Sequence, residues 1–117
     1  MATNLEFRTA EHNEKARRYC MLTSIIQEVL TEVGRATDMF SPMHSPHEAE
    51  AVIREEFDEY WDEVKAHNMF KKRDTRPRQR EELIQLAAMA VRAIYDTIDV
   101  PARNANQVPT PSADPAS

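Results

Sequence analysis

Glycine is almost missing from this chain: 117 residues carry one, Gly34. That excludes the glycine-rich loops with which a backbone wraps phosphates in nucleotide-binding α/β folds, so any phosphate chemistry must use side chains or a metal. Cysteine is as scarce. Cys20 alone can form neither an intrachain disulfide nor a cysteine zinc cluster, which suits a reducing compartment, and it is expected to be a buried, inert thiol. Long apolar runs are lacking as well, the longest being Leu86 to Val91. Neither a membrane span nor a targeting leader is therefore expected, and the chain reads as soluble and cytoplasmic. Acidic groups outweigh basic ones, leaving a formal charge of −5, which argues against non-specific nucleic-acid binding. A chain this short removes only roughly two-thirds of its unfolded surface from water. One domain with one core is expected, and oligomerisation is the natural way to complete it.

What is present is helical periodicity. Strand-like alternation is not sustained anywhere, and apolar residues recur at 3.6-residue spacing, which predicts an all-α bundle of three main helices. The first is expected from about Thr9 or Glu11 to Val33, with Leu22, Ile25, Ile26, Val29, Leu30 and Val33 on one stripe and Gly34 as its stop. The second has a clear start in Ser45-Pro46-His47-Glu48, with serine at the N-cap, proline in the first turn and glutamate three residues after the cap, and should reach about Ala66. The third is expected from Pro77 to Ile98, closed by Pro101. Residues 1–100 then form the domain. Residues 101–117, rich in proline, alanine, asparagine and serine, read as a disordered tail.

The charged residues carry the functional signal. At 100° per residue, Glu56, Glu59 and Glu63 share one sector of the second helix about 60° wide, and Val52 lies inside it. Glu55, Asp58 and Asp62 fall on the far side. The third helix is apolar around most of its circumference, with Glu82, Gln85, Met89, Arg92 and Asp96 along the remaining stripe, so it is expected to be packed on nearly every side. Arg92 and Asp96, four residues apart, are placed to pair. A short link makes helices two and three antiparallel, and one register then sets Glu59 level with Glu82 and Glu56 level with Gln85. Three carboxylates brought together repel one another unless a cation lies among them. Hard oxygen ligands at this spacing suit Mg²⁺ or Mn²⁺.

The segments His47-Glu48, Ala51-Val52-Ile53, Glu55 through Val64 and Arg80 through Arg92 resemble the MazG-like branch of the all-α nucleoside triphosphate pyrophosphohydrolases. Under half the chain carries the resemblance. That superfamily has an E-E-x-x-E motif on one helix and E-x-x-D on the next. Glu56 and Glu59 match the first motif and Glu82 opens the second, whereas Gln85 stands where the pattern has aspartate. The resemblance implies magnesium held by Glu56, Glu59 and Glu82 with Gln85 as a weak fourth ligand. It further implies hydrolysis of (deoxy)nucleoside triphosphates to monophosphate and pyrophosphate, and a homodimer or homotetramer. Loss of one negative charge at Gln85 leaves a catalytically weak or inactive nucleotide- or partner-binding oligomer as the alternative.

Glu63 or Glu55 is expected to accept the proton of the attacking water. Between the motif helices, Lys71 to Arg80 has six basic side chains in ten residues; Lys71, Lys72 and Arg76, with Arg92 from the third helix, are the expected phosphate contacts. His44 and His47 have ligand spacing, but without a third histidine or a cysteine beside them they read as helix-start residues rather than a zinc site. Tyr60 and Trp61, next to Phe57 and Val64, read as packing residues.

Overall fold

The computed structural model describes residues 3–69 and 73–106. Four α-helices follow in order: α1 (Asn4–Met39), α2 (Pro46–Met69), α3 (Arg76–Ile94) and α4 (Val100–Asn106), with one π-helical turn at Tyr95–Asp99 between the last two. The all-α bundle expected from the periodicity is what forms. No helix among the described residues is long and apolar enough to cross a membrane.

Helix α1 is longer at both ends than its apolar stripe suggested. Its start is fixed by a reciprocal cap: the Glu6 amide donates to the Thr3 hydroxyl at 3.2 Å, and the Thr3 amide donates to the Glu6 carboxylate at 2.7 Å. Gly34 does not stop it. The glycine sits mid-helix without a positive φ, and the chain continues because Ala36, fully buried, is the residue that docks on the core. The helix ends at Phe40, whose extended backbone leads into Ser41-Pro42.

Helix α2 starts as expected. The Ser45 hydroxyl accepts from the Glu48 amide at 3.1 Å, and the Glu48 carboxylate accepts from the His44 amide at 3.0 Å. His44 thus serves the helix start. Helix α3 is locked onto the far end of α2 by Thr75, which is 2 % exposed. Its hydroxyl donates to the Glu63 carbonyl at 2.6 Å and its amide to His67 Nδ1 at 3.2 Å. Pro101 does not close α3. One wide turn is inserted first, with the Val100 amide donating to the Tyr95 carbonyl, and the chain then runs helically through the proline to Asn106. The part of the expected tail from 101 to 106 is therefore helix, and 107–117 lie outside the described residues.

Helix α3 is central, with α1 and α2 packed against it. Six buried apolar residues form the core: Ala36, Met43, Ala49, Ala88, Met89 and Ala93, backed by Val29, Val33, Val52 and Ile53. All three long helices and the 40–45 connection meet there. A bidentate ion pair, Arg80 with Glu28, ties α3 to α1. Two expectations of burial are overturned within this single chain. Helix α3 leaves Leu83, Val91 and Ile94 between 43 and 50 % exposed, and Cys20 is exposed on α1 rather than buried. Phe57 and Trp61 are about half exposed too. Among the described residues α1 and α2 are the long helices packed on α3, and they leave part of its apolar circumference open.

Candidate metal centre

The acidic cluster follows from helix period and register. Glu56 and Glu59 lie nearly one turn apart on α2, and the antiparallel packing clamped by Thr75 sets Glu82 of α3 beside them. One carboxylate oxygen from each of the three lies within 4.8 Å of the others. Glu56 and Glu82 are half-buried, and each buries its Oε2 without a hydrogen-bond partner. An orphaned anionic oxygen is costly and is a natural ligand for a cation.

Electrostatics register the crowding. Glu82 is pushed up to about 7, first by burial, then by the adjoining Glu59 carboxyl and by the charges of Glu59, Glu56 and Glu81. Glu56 is raised for like reasons, burial leading, followed by Glu59, Glu55 and Glu32, with Arg35 opposing. The donor set, three carboxylates with two unsatisfied oxygens, fits a hard divalent ion such as Mg²⁺ or Mn²⁺.

Next to the cluster is a cleft of about 590 Å³ between the C-terminal half of α1, the connection at 40–43, α2 and α3. Glu55, expected on the far side of α2, instead lines it with Glu56, Gln85 and Arg92, together with Glu32 and Arg35 from α1, and Met39, Met43 and Met89 supply its apolar wall. Gln85 therefore faces the same space as Glu56. Glu32 and Arg35 were missed by sequence reasoning, which assigned α1 no chemistry. Their signal was the polar line Glu28, Glu32, Arg35 running beside the apolar stripe. Arg35 holds Glu32 below the usual carboxylate range and adds a positive charge near Glu56.

Other expected site residues are distributed differently. Arg92 does not pair with Asp96. It is 5 % exposed and its Nη2 donates to the Ser41 carbonyl at 3.1 Å, while the Asp96 carboxylate accepts from the Met43 amide at 2.9 Å. Both side chains satisfy backbone groups that the 41–43 connection would otherwise leave orphaned, which outweighs an ion pair between them. Glu63 stands apart from the three clustered acids, 4.0 Å from Arg78. Arg76 is exposed and bonded twice to Asp74, which it depresses to about 2. Lys71 and Lys72 lie outside the described residues.

No protein-family model, curated protein or solved structure matches the chain.

Proposed function

We propose that this chain is a divalent-metal-dependent hydrolase of (deoxy)nucleoside triphosphates, releasing the nucleoside monophosphate and pyrophosphate. One observation carries the reading: Glu56, Glu59 and Glu82 converge from two helices, with the Oε2 atoms of Glu56 and Glu82 buried and unpartnered, beside an open cleft. The family resemblance of the same segments supports it. Glu56, Glu59 and Glu82 hold Mg²⁺ or Mn²⁺, and Gln85 offers a neutral amide oxygen. The ion, when bound, neutralises phosphate oxygens and lowers the charge barrier to attack.

The overall reaction joins a water oxygen to the α-phosphorus and breaks its bond to the α–β bridging oxygen, which leaves with pyrophosphate. Glu55 opens on the cleft and is better placed than Glu63 to take the water's proton, because Glu63 faces Arg78. Arg35 and Arg92 supply positive charge on the cleft wall. The reading as a weak or inactive nucleotide binder rests on Gln85, which gives the cluster one charge fewer than the family pattern.

A panel of (d)NTPs incubated with Mg²⁺ or Mn²⁺, with pyrophosphate detection, separates these. Glu56→Gln is expected to cut turnover about 100-fold or more at unchanged helicity. Mn²⁺ binding without turnover of any triphosphate supports the binder instead. Full activity and metal affinity in Glu82→Gln removes α3 from the site.

A further inference from the structure

Helix α1 forms a wall of the cleft as well as α2 and α3. Glu32, Arg35 and Met39 fall within about 60° of its circumference, and all three line the cleft with Glu55 and Glu56. Ala36 lies next to them around the helix and is fully buried, so this edge of α1 is anchored against the core.

The two cations of the cleft differ. Arg92 is buried and turned onto its own chain, its guanidinium donating to the Ser41 carbonyl and lying against the Met89 sulfur. Arg35 keeps half its side chain exposed at the cleft, yet its guanidinium is held from both directions along the helix. One turn before it, Nε donates to Glu32 Oε2 at 2.9 Å and Nη2 donates to Oε1; one turn after it, Nη1 donates to Met39 Sδ at 2.9 Å. The Glu32 side chain that does the holding is 16 % exposed. Three of the five guanidinium N–H groups are thereby engaged, and one on each terminal nitrogen has no partner among the described residues.

An Arg–Glu pair three residues apart on a helix surface contributes little to stability. This pair instead stands at the acidic cleft. The carboxylates of Glu59, Glu55 and Glu32 all oppose ionisation of Glu56, and Arg35 is the cation that counters them. A guanidinium takes phosphate oxygens through charge-assisted bonds, and one that is already ordered gives up less entropy in doing so.

We propose that Glu32 is a positioning residue, holding the Arg35 guanidinium in the cleft as the group that takes the phosphates of the substrate. The identity of that ligand rests on the hydrolase reading of the cleft. Glu32 works here against its own charge: a carboxylate on the wall repels an incoming polyphosphate, and what offsets the repulsion is the order it imposes on Arg35. Two signs follow. Loss of Arg35 loosens the anion while leaving a cation at the acidic centre at least as well held, because a like charge has gone. Loss of Glu32 also loosens the anion, although the cleft has become less negative.

The full chain is tested with two probes that need no turnover: Mn²⁺ alone, followed by spin resonance of the free ion, and the preformed Mg²⁺ complex of inorganic tripolyphosphate, followed by calorimetry. Arg35→Gln is expected to weaken tripolyphosphate about tenfold or more through lost charged hydrogen bonds, with Mn²⁺ bound as tightly as in the parent or tighter. Arg35→Lys keeps the charge without the planar guanidinium and is expected to bind tripolyphosphate at least about threefold more weakly than the parent. Glu32→Gln is expected to weaken it by about threefold or more on its own and to add nothing in the Arg35→Gln background, since it acts through Arg35. Circular dichroism is expected to show the same helicity throughout. Glu32→Gln that binds tripolyphosphate as tightly as the parent overturns the proposal, as does a Glu32→Gln loss that adds in full to that of Arg35→Gln. So does a parent protein that takes Mn²⁺ but no tripolyphosphate. The expected binding pattern with no nucleotide hydrolysed upholds the Glu32–Arg35 site and removes the hydrolase. Nucleotide turnover whose KM is indifferent to both substitutions removes the site and leaves the hydrolase.

Discussion

Glu82 sits where burial and two neighbouring carboxylates all oppose its ionisation, and its carboxyl is pushed up to about 7. An acid whose folded value exceeds its unfolded one binds more protons in the folded state between the two. The unfolded chain sheds the proton near the ordinary glutamate range, so stability falls as pH rises through the window from about 4.5 to 7. Asp74 has the opposite sign. Arg76 depresses it to about 2, so its contribution is present above the ordinary aspartate range and fades only below it, outside that window. In EDTA, the thermal midpoint is therefore expected to drop between pH 5 and pH 7.5, and Glu82→Gln to flatten that slope. Added Mg²⁺ should restore the midpoint most at the alkaline end, where the cluster carries its full charge. A wild-type midpoint that is flat over this range, measured by calorimetry, removes the crowding of Glu82 from consideration.

At the scale of elements, α1 carries a glycine in its interior with nothing within 4 Å of where a Cβ would stand. Its backbone is helical, so alanine fits without strain and loses less entropy on folding. Gly34→Ala is expected to stabilise the protein by about 1 kcal/mol, read as a shift in denaturant midpoint at constant slope. The same residue shows where sequence reasoning failed. Gly34 stood just past the last periodic apolar residue and read as a stop, but Ala36 is the fully buried anchor two positions later, and alanine barely registers in a hydrophobic pattern. Pro101 misled for a related reason: a π turn changes the hydrogen-bond register ahead of the proline and removes the clash that normally ends a helix. The acidic centre was legible because its determinants are short-range. Helix period fixes the side on which Glu56 and Glu59 lie, and a short link fixes antiparallel α3, so the register that levels Glu59 with Glu82 follows from counting. The partners of Arg92 and Asp96 were not legible. They depend on how the 41–43 connection folds back over α3, a contact more than fifty positions distant in sequence.

For the molecule as a whole, the balance of buried and exposed apolar side chains sets the strongest expectation. Its core of six buried residues includes four alanines, whereas Leu5, Tyr19, Ile26, Leu30, Ile94, Tyr95 and Ile98 are each at least half exposed. Burying one such large side chain contributes about 1.5 to 3 kcal/mol, so the exposed set outweighs the alanine core that holds the single chain together. If two copies pair through these faces, folding and pairing are one equilibrium, and stability depends on protein concentration by mass action. A tenfold increase in concentration is expected to raise the thermal midpoint by roughly 3 °C, given the unfolding entropy of two chains of this length. Deleting residues 1–22 tests the arm formed by the exposed N-terminal half of α1. If the arm projects idly into solvent, its removal leaves the midpoint and its concentration dependence as they were. If it packs on a second copy, the truncated protein has a lower midpoint that no longer rises with concentration. Calorimetry on both proteins over a hundredfold range reads the difference directly, and an unchanged midpoint in the truncated chain removes the arm from the interface.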